Sequence, residues 1–346
     1  MNRREFLTSI LKLSALSVIP FPLLGDPAAE QQTGRRDFHG TPLPVLGLGT
    51  MRLPLFPGTK RINTEEAKRM IDFALAHGIN YFDTASNYRH GESESFLGTA
   101  LSSRRDSCLL ASKLPLAGIE SPGDARNIIE SQLRRCRTGC FDFYMLQMPN
   151  SANFNRILKL KLPELLQNLK RKGMIRFAGF SFFDSPQTLE RLIPLAPWDF
   201  VQLDINYIDW ELCQTNAVCA LLKRHGISVF AVDPLRGGDL NRLSPGSGTS
   251  PAEWAFRFAA SVPGVAMTLC NAASQRELET AFHALRKPPF SAVERNTLSQ
   301  AAARYRENGT VSPCGNCCCS DADPALDTRS SVFCPLSIHP KRRELL

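Results

Sequence analysis

Short apolar runs alternate with amphipathic segments along most of this chain, and that alternation leaves few architectures open. The runs Val45–Thr50, Tyr81–Ala85, Cys108–Leu114, Phe141–Met148, Ile175–Ser181, Phe200–Ile205, Ser228–Val232 and Val265–Leu269 read as strands. Between them, Thr64–His77, Ser93–Ser102, Asp124–Cys136, Leu162–Lys172, Pro186–Leu195, Asn216–His225, Pro251–Ser261 and Ser274–Leu285 read as helices. Asn63 or Thr64 supplies a start signal, and Gly78, Gly173 and Gly226 supply stops. Such alternation predicts a parallel sheet covered by helices, an α/β fold. Eight repeats favour closure into a (β/α)8 barrel, with an open doubly wound sheet as the alternative on pattern alone. A barrel of this kind commonly takes about 250 residues, so a chain of 346 is one barrel with extensions.

Ionisable residues fall where such a barrel builds its site. The run Tyr81-Phe82 ends in Asp83, and a loop follows that carries Tyr88 and a Gly-containing turn before Ser93-Glu94. The next strand, from Cys108, ends in Lys113. A carboxylate, a phenol and an ammonium, each just past the C-terminal end of a strand, form a catalytic pattern in α/β barrels. Taken singly, each has a plainer explanation: a loop tyrosine, or an ion pair at a barrel rim. The glycines of Val45–Thr50 are not a dinucleotide fingerprint, because no helix opens after them.

The stretches FDTASNY (Phe82 to Tyr88), HGESE (His90 to Glu94) and SKLP (Ser112 to Pro115) resemble the aldo-keto reductase family. GMIRFAGFS (Gly173 to Ser181), WDFVQLDINY (Trp198 to Tyr207) and DPLRGG (Asp233 to Gly238) extend the resemblance over roughly Phe38 to Leu285. It implies a TIM barrel that transfers hydride between NADP(H) and a small carbonyl or alcohol substrate. It implies catalytic roles for Asp83, Tyr88 and Lys113. The family's fourth catalytic position, a His, is occupied here by Gln147. Cofactor contacts are implied at Ser181 and Gln202 for the nicotinamide carboxamide, at Arg236 in the loop after the seventh strand, and at Ser274 and Arg276 for phosphate. Phe182 stands where many members have Asn, and Arg276 reads equally well as a solvated charge on a first helical turn.

The chemistry explains why these residue types are needed. Carbonyl reduction requires an acid that protonates the developing alkoxide. A free phenol, with a pKa of about 10, donates poorly near neutrality. A neighbouring ammonium favours the phenolate, and a carboxylate paired with that ammonium fixes its place. Gln147 donates a hydrogen bond but does not titrate near neutral pH. The rival expectation is therefore a catalytically weak barrel that serves as a binding or redox module. His90 reads as a loop residue without a role.

The ends carry other signals. Arg3-Arg4 followed by Phe6-Leu7 and an apolar run resembles a twin-arginine export signal, implying the export machinery as a partner and a periplasmic or exported location. Lys12, Pro20 and Pro22 interrupt the run, so no stable membrane span is expected. The organisation expected is a signal segment over 1–29, a linker over 30–37, the barrel over 38–290, and a C-terminal helix and cysteine-rich tail over 291–346. Of eleven cysteines, Cys314, Cys317, Cys318, Cys319 and Cys334 crowd into this tail. One aldo-keto reductase subfamily ends in a similar segment that carries a 4Fe-4S cluster. Cys314-x2-Cys317 and Cys334-Pro335 fit that spacing, whereas Ser320 stands where the third cysteine falls. A 4Fe-4S cluster, zinc and disulfides all remain open. The net charge of +8 gathers partly at the two ends with no aromatic-interleaved basic stripe, so no nucleic-acid partner is expected.

Overall fold

The computed structural model describes residues 34–246 and 248–307. The twin-arginine-type segment and the tail cysteines lie outside the described residues.

A two-stranded antiparallel hairpin comes first, β1 (Arg35–Phe38) and β2 (Thr41–Pro44). His39 and Gly40, at its tip, both have positive φ (48° and 76°), the backbone that a two-residue hairpin turn needs to match strand twist. The first strand takes in Arg35 to Asp37, residues whose composition reads as polar spacer. Side-chain contacts explain the ordering. The Arg36 guanidinium donates to the Val265 carbonyl, and Arg35 donates to the Pro42 carbonyl at 3.0 Å.

Eight parallel strands then close into a barrel, in the order β10-β3-β4-β5-β6-β7-β8-β9. They are β3 (Leu46–Gly49), β4 (Tyr81–Asp83), β5 (Leu109–Leu114), β6 (Phe141–Gln147), β7 (Ile175–Phe182), β8 (Phe200–Asp204), β9 (Ser228–Val232) and β10 (Val265–Cys270). The open-sheet alternative is thereby excluded, because β10 pairs with β3 from Thr268↔Leu46 to Cys270↔Leu48. The covering helices are α1 (Thr64–Ala76), α2 (Glu92–Ala100), α3 (Pro122–Arg135), α4 (Phe154–Lys159), α5 (Leu162–Arg171), α6 (Pro186–Leu192), α7 (Asp209–Leu212), α8 (Thr215–Arg224), α9 (Pro251–Ser261) and α10 (Gln275–Leu285), with α11 (Ala292–Glu307) after them. The short α4 and α7 are additions to the alternation legible in the sequence. The helix expected over Pro186–Leu195 stops at Leu192 and tightens into a 3-10 turn, where Pro194 lacks the donor that would continue it.

Helix starts follow local chemistry. Asn63, Ser121, Ser185, Ser250 and Ser274 each accept a backbone N–H of the first turn. Ser121 and Asp124 satisfy each other's orphan donors as a capping box, and Pro122, Pro186 and Pro251 sit where a missing N–H costs nothing.

Strand alternation sorts the core into two shells. On β6, Phe143 and Met145 face the barrel axis, while Tyr144 and Leu146 pack against the helices. Phe177, Phe200, Phe230, Tyr81 and Met267 complete the inner shell. Phe38 of the hairpin plugs the N-terminal opening, 4.9 Å from the Phe177 ring and 5.5 Å from both Phe143 and Phe230. With that end closed by aromatic rings, the other end is left to form a cleft. No helix among the described residues is long and apolar enough to cross a membrane.

Candidate active site

The C-terminal ends of the strands open into a cavity of about 570 Å³. Asp83, Tyr88, Lys113 and Gln147 all line it, as do Ser181, Gln202, Ser274 and Arg276. Asp83 closes β4 and Lys113 is the fifth residue of β5, and both are only 3% exposed. The Lys113 ammonium donates to Asp83 Oδ1 and, at 3.0 Å, to the Thr84 carbonyl. Gln202 Nε2 donates to the other oxygen, Oδ2, at 3.2 Å. Both carboxylate oxygens are thus engaged, which is what a charge held out of water requires. Lys113 Nζ also lies over the Tyr88 ring, 4.8 Å from its centre, within cation–π range. Tyr88 opens a 3-10 turn (Tyr88–Gly91) in which Arg89 and His90 hold positive φ, 51° and 52°. Tertiary closure therefore gathers the three residues that sequence spacing puts at successive strand ends.

Gln147, the last residue of β6, donates from Nε2 to Asn87 Oδ1 at 3.4 Å. Its Oε1 is buried with no hydrogen-bond partner among the described residues. The Ser181 hydroxyl accepts the Met148 N–H at 3.0 Å and keeps its own proton to donate. Gln202 has its Nε2 on Asp83 and retains Oε1 as an acceptor. One donor and one acceptor side by side on β7 and β8 match a carboxamide, which offers the complementary pair. Phe182 adds no polar group.

Further round the rim, Ser274 caps α10 by accepting the Glu277 N–H at 3.3 Å. Arg276 projects from the same turn, is exposed, and makes no ion pair among the described residues. Arg52 reaches this corner from the loop after β3, donating to the Asn271 carbonyl at 3.3 Å and pairing with Glu277 at 3.6 Å. Arg236, by contrast, does not reach the cleft. Its guanidinium is 1% exposed and is held by Asp209 at 3.0 Å and Asp239 at 3.1 Å, so it braces the loop after β9.

Two cavity-lining carboxylates, Asp204 and Asp233, lie inside the quoted motifs with no role assigned to them there. Asp204 ends β8, and Asp233 follows β9, with Asp204 in register with Val232. Asp233 accepts the Gly237 N–H with both oxygens, at 2.8 and 2.7 Å. The Asp204 carboxyl has no hydrogen bond or ion pair among the described residues. Burial, then the charge of Asp233, pushes the Asp204 carboxyl well above the usual carboxylate range. Burial likewise raises Asp233 to about 7, against the pull of the Gly237 N–H. Their position at strand ends was the available signal.

The cysteines of the barrel are packing residues. Cys108, Cys136, Cys219 and Cys270 are buried, and Cys140 and Cys213 half-buried. Burial pushes the Cys219 and Cys270 thiols up to about 12, away from reactive thiolate. No group of three or more His, Cys, Asp or Glu among the described residues is placed to hold a metal ion.

A closed parallel barrel with a buried ion pair and a phenol at its C-terminal mouth is a (β/α)8 barrel with its polar groups on the face where such barrels build their sites. The chain belongs to the aldo/keto reductase family, whose pattern it matches over residues 45–247. It is 28% identical over 203 residues to the uncharacterized oxidoreductase YqkF of Bacillus subtilis, spanning 56% of this chain and 61% of that protein. It is 27% identical over 287 residues to the uncharacterized oxidoreductase Rv2298 of Mycobacterium tuberculosis, spanning 72% and 86%. The fold matches the holo form of the aldo-keto reductase AKR11C1 from Bacillus halodurans with a TM-score of 0.65 at 24% identity, over 77% of this chain and 95% of that one. An aldo/keto reductase from Klebsiella pneumoniae in complex with NADP and acetate matches with a TM-score of 0.62 at 23% identity, over 77% and 94%.

Proposed function

We propose that this chain is an NADP(H)-dependent oxidoreductase that interconverts a small carbonyl and its alcohol, with Tyr88 as the acid and base. The observation that carries the reading is the buried Lys113–Asp83 pair set against the Tyr88 ring inside the main cavity. A dinucleotide bound there would supply the hydride. Lys113 places a positive charge where the Tyr88 phenol gives up its proton, which lowers the cost of phenolate. Asp83 keeps that ammonium in place, and Gln202 keeps Asp83 in place. Ser181 and Gln202 would hold the carboxamide, while Ser274 and Arg276 would meet a phosphate. The NADP complex of the Klebsiella relative supports this choice of cofactor.

Gln147 favours a second reading, a barrel that binds ligand with weak or no turnover. It offers no titratable group, and its unpartnered Oε1 leaves the site polar but incomplete. Calorimetric titration of the protein with NADPH and NADH, followed by dinucleotide oxidation across an aldehyde and ketone panel, separates the two. Binding of NADPH and turnover lost in Tyr88→Phe is the expected result. Binding without Tyr88-dependent turnover selects the weaker reading.

Export through the Arg3-Arg4 segment and a metal-bound tail extend the proposal. Fractionation of cells expressing the full chain tests export. Iron and zinc analysis of anaerobically prepared protein, with thiol counting, decides among cluster, zinc and disulfide at Cys314, Cys317, Cys318, Cys319 and Cys334.

A further inference from the structure

Outside the cleft, between the barrel and its helices, lies a second buried polar cluster that the proposed chemistry does not use. Its centre is Glu94, the third residue of α2, with no exposed surface. A carboxylate is buried only where its lone pairs are satisfied, and here they are. Oε1 accepts from Ser112 Oγ and Gln132 Nε2, each at 2.9 Å. Oε2 accepts Arg135 Nε at 2.7 Å and pairs with Nη2 at 2.6 Å. Gln132, equally buried, also donates to the Lys113 carbonyl at 2.8 Å, and the Tyr144 hydroxyl donates to its Oε1. Because side chains alternate along β5, Ser112 points out into this cluster while the Lys113 ammonium points into the cleft. The cluster therefore grips the strand at the residue that serves the site.

The other end of the cluster meets the Tyr88 turn. Arg89 and His90 hold left-handed backbone in succession, and Gly91 continues it at φ 84°. Such residues persist only where the surroundings over-determine them. α2 starts directly after the turn. A Cβ on Gly91 would come within 3.0 Å of Arg135 Nε, and one on Gly98 would strike the Arg135 carbonyl. The two glycines let α2 lie hard against the end of α3, where Glu94 and Arg135 meet.

We infer that Glu94 is a positioning residue: through Arg135 it holds the strained turn that carries Tyr88, and through Ser112 and Gln132 it holds the strand that carries Lys113. The approach of the ammonium to the phenol is thus set by a carboxylate outside the cleft. The inference rests on Tyr88 and Lys113 forming the site, as proposed above. A purely structural pair would change only stability when broken. A positioning pair also changes how the Tyr88 phenol ionises.

The test is ultraviolet difference titration of the full chain, with the Tyr88 step identified by its loss in Tyr88→Phe. Burial holds the phenols of Tyr81, Tyr144 and Tyr207 above their ordinary range. In Glu94→Gln, which keeps an acceptor for Ser112 and Gln132 but loses the charge on Arg135, the Tyr88 step moves to higher pH. The kcat falls about tenfold while the KM for NADPH stays within about twofold, the signature of misplacement rather than lost binding. Tyr144→Phe, which leaves the Glu94–Arg135 pair intact, shifts both in the same direction by less and serves if Glu94→Gln does not fold. A Tyr88 step unmoved in the folded variants overturns the inference. A moved step in a protein that reduces no carbonyl overturns the proposed activity and leaves the positioning role standing.

Discussion

The N-terminal floor and the C-terminal mouth of this barrel bury charge in different ways. At the floor, Asp142 is 6% exposed and has both oxygens engaged by cations: Arg105 at 2.8 Å on one and Arg176 at 3.1 Å on the other, with the Leu110 N–H at 2.9 Å besides. Aromatic rings fill the space above it. At the mouth, Asp83 and Asp209 are each held by a buried cation, Lys113 and Arg236. Asp204 and Asp233 line the cavity with no ion pair among the described residues, and Gln147 keeps an oxygen without a hydrogen-bond partner there. Saturated polar groups are what a stability element needs. Unsaturated ones raise the free energy of the empty protein and leave groups for a ligand to satisfy. The division follows the general rule for barrels, with chemistry at the C-terminal ends of strands and stability at the other face.

The contrast can be broken by substitution, and the largest effect is expected at the mouth. Tyr88→Phe should lower kcat by roughly 10²- to 10⁴-fold, the contribution of a positioned acid–base group, with dinucleotide binding and melting temperature unchanged; stopped-flow and calorimetry on one preparation would check it. A comparable loss in NADPH affinity would place Tyr88 in binding instead. Phe143→Ala, at the heart of the inner shell, should do the reverse. It should cost about 3–5 kcal/mol of stability by opening a cavity, read by denaturant unfolding, while the folded fraction keeps its kcat. Arg276→Ala sharpens the account of the rim: the Kd for NADPH should rise about tenfold, as for one charged hydrogen bond, and that for NADH should hold.

The smallest effect concerns pH. In the folded protein the Asp204 carboxyl is raised, and Asp233 to about 7, whereas an Asp in the unfolded chain titrates near 3.8. From about pH 4 upward the folded state therefore holds protons that the unfolded state has released, so stability falls as pH rises, with the share of Asp233 lost by about pH 7. Asp204→Asn removes the share of this dependence that Asp204 carries and leaves that of Asp233. Its melting temperature should gain on that of the parent protein between pH 5 and pH 8 by about 2–4 °C, equivalent to about 1 kcal/mol for a domain of this size. Equal differences at the two pH values would show that the mouth carboxyls are ordinary after all.

The barrel was legible because its signals are local. Strand runs, cap residues and stop glycines each act within a few positions, and eight repeats of them leave little freedom. Asp83, Tyr88 and Lys113 were legible for a related reason: the fold puts strand ends on one rim, so position along a strand foretells position in the cleft. Arg236 shows the limit. It stands in a loop at the same rim, but whether its guanidinium turns to the cleft or down onto Asp209 depends on α7, a short helix that no periodicity announces. Asp204 and Asp233 were in view as residues, yet a carboxylate's charge state depends on burial and on neighbours from other strands.

Sequence alone thus determined the family resemblance and the order of the strand–helix repeats, since these rest on motif, period and capping, while the pairing of β10 with β3 decided closure. Tertiary structure alone decided which rim residues meet. It set Lys113 over the Tyr88 ring, left Gln147 with an unpartnered oxygen, and brought Glu94, Gln132 and Arg135 from separate elements behind the strand. The physical reason is distance: hydrogen bonds and desolvation act over a few ångströms in space, and only closure of the barrel makes residues far apart in the chain neighbours at that range.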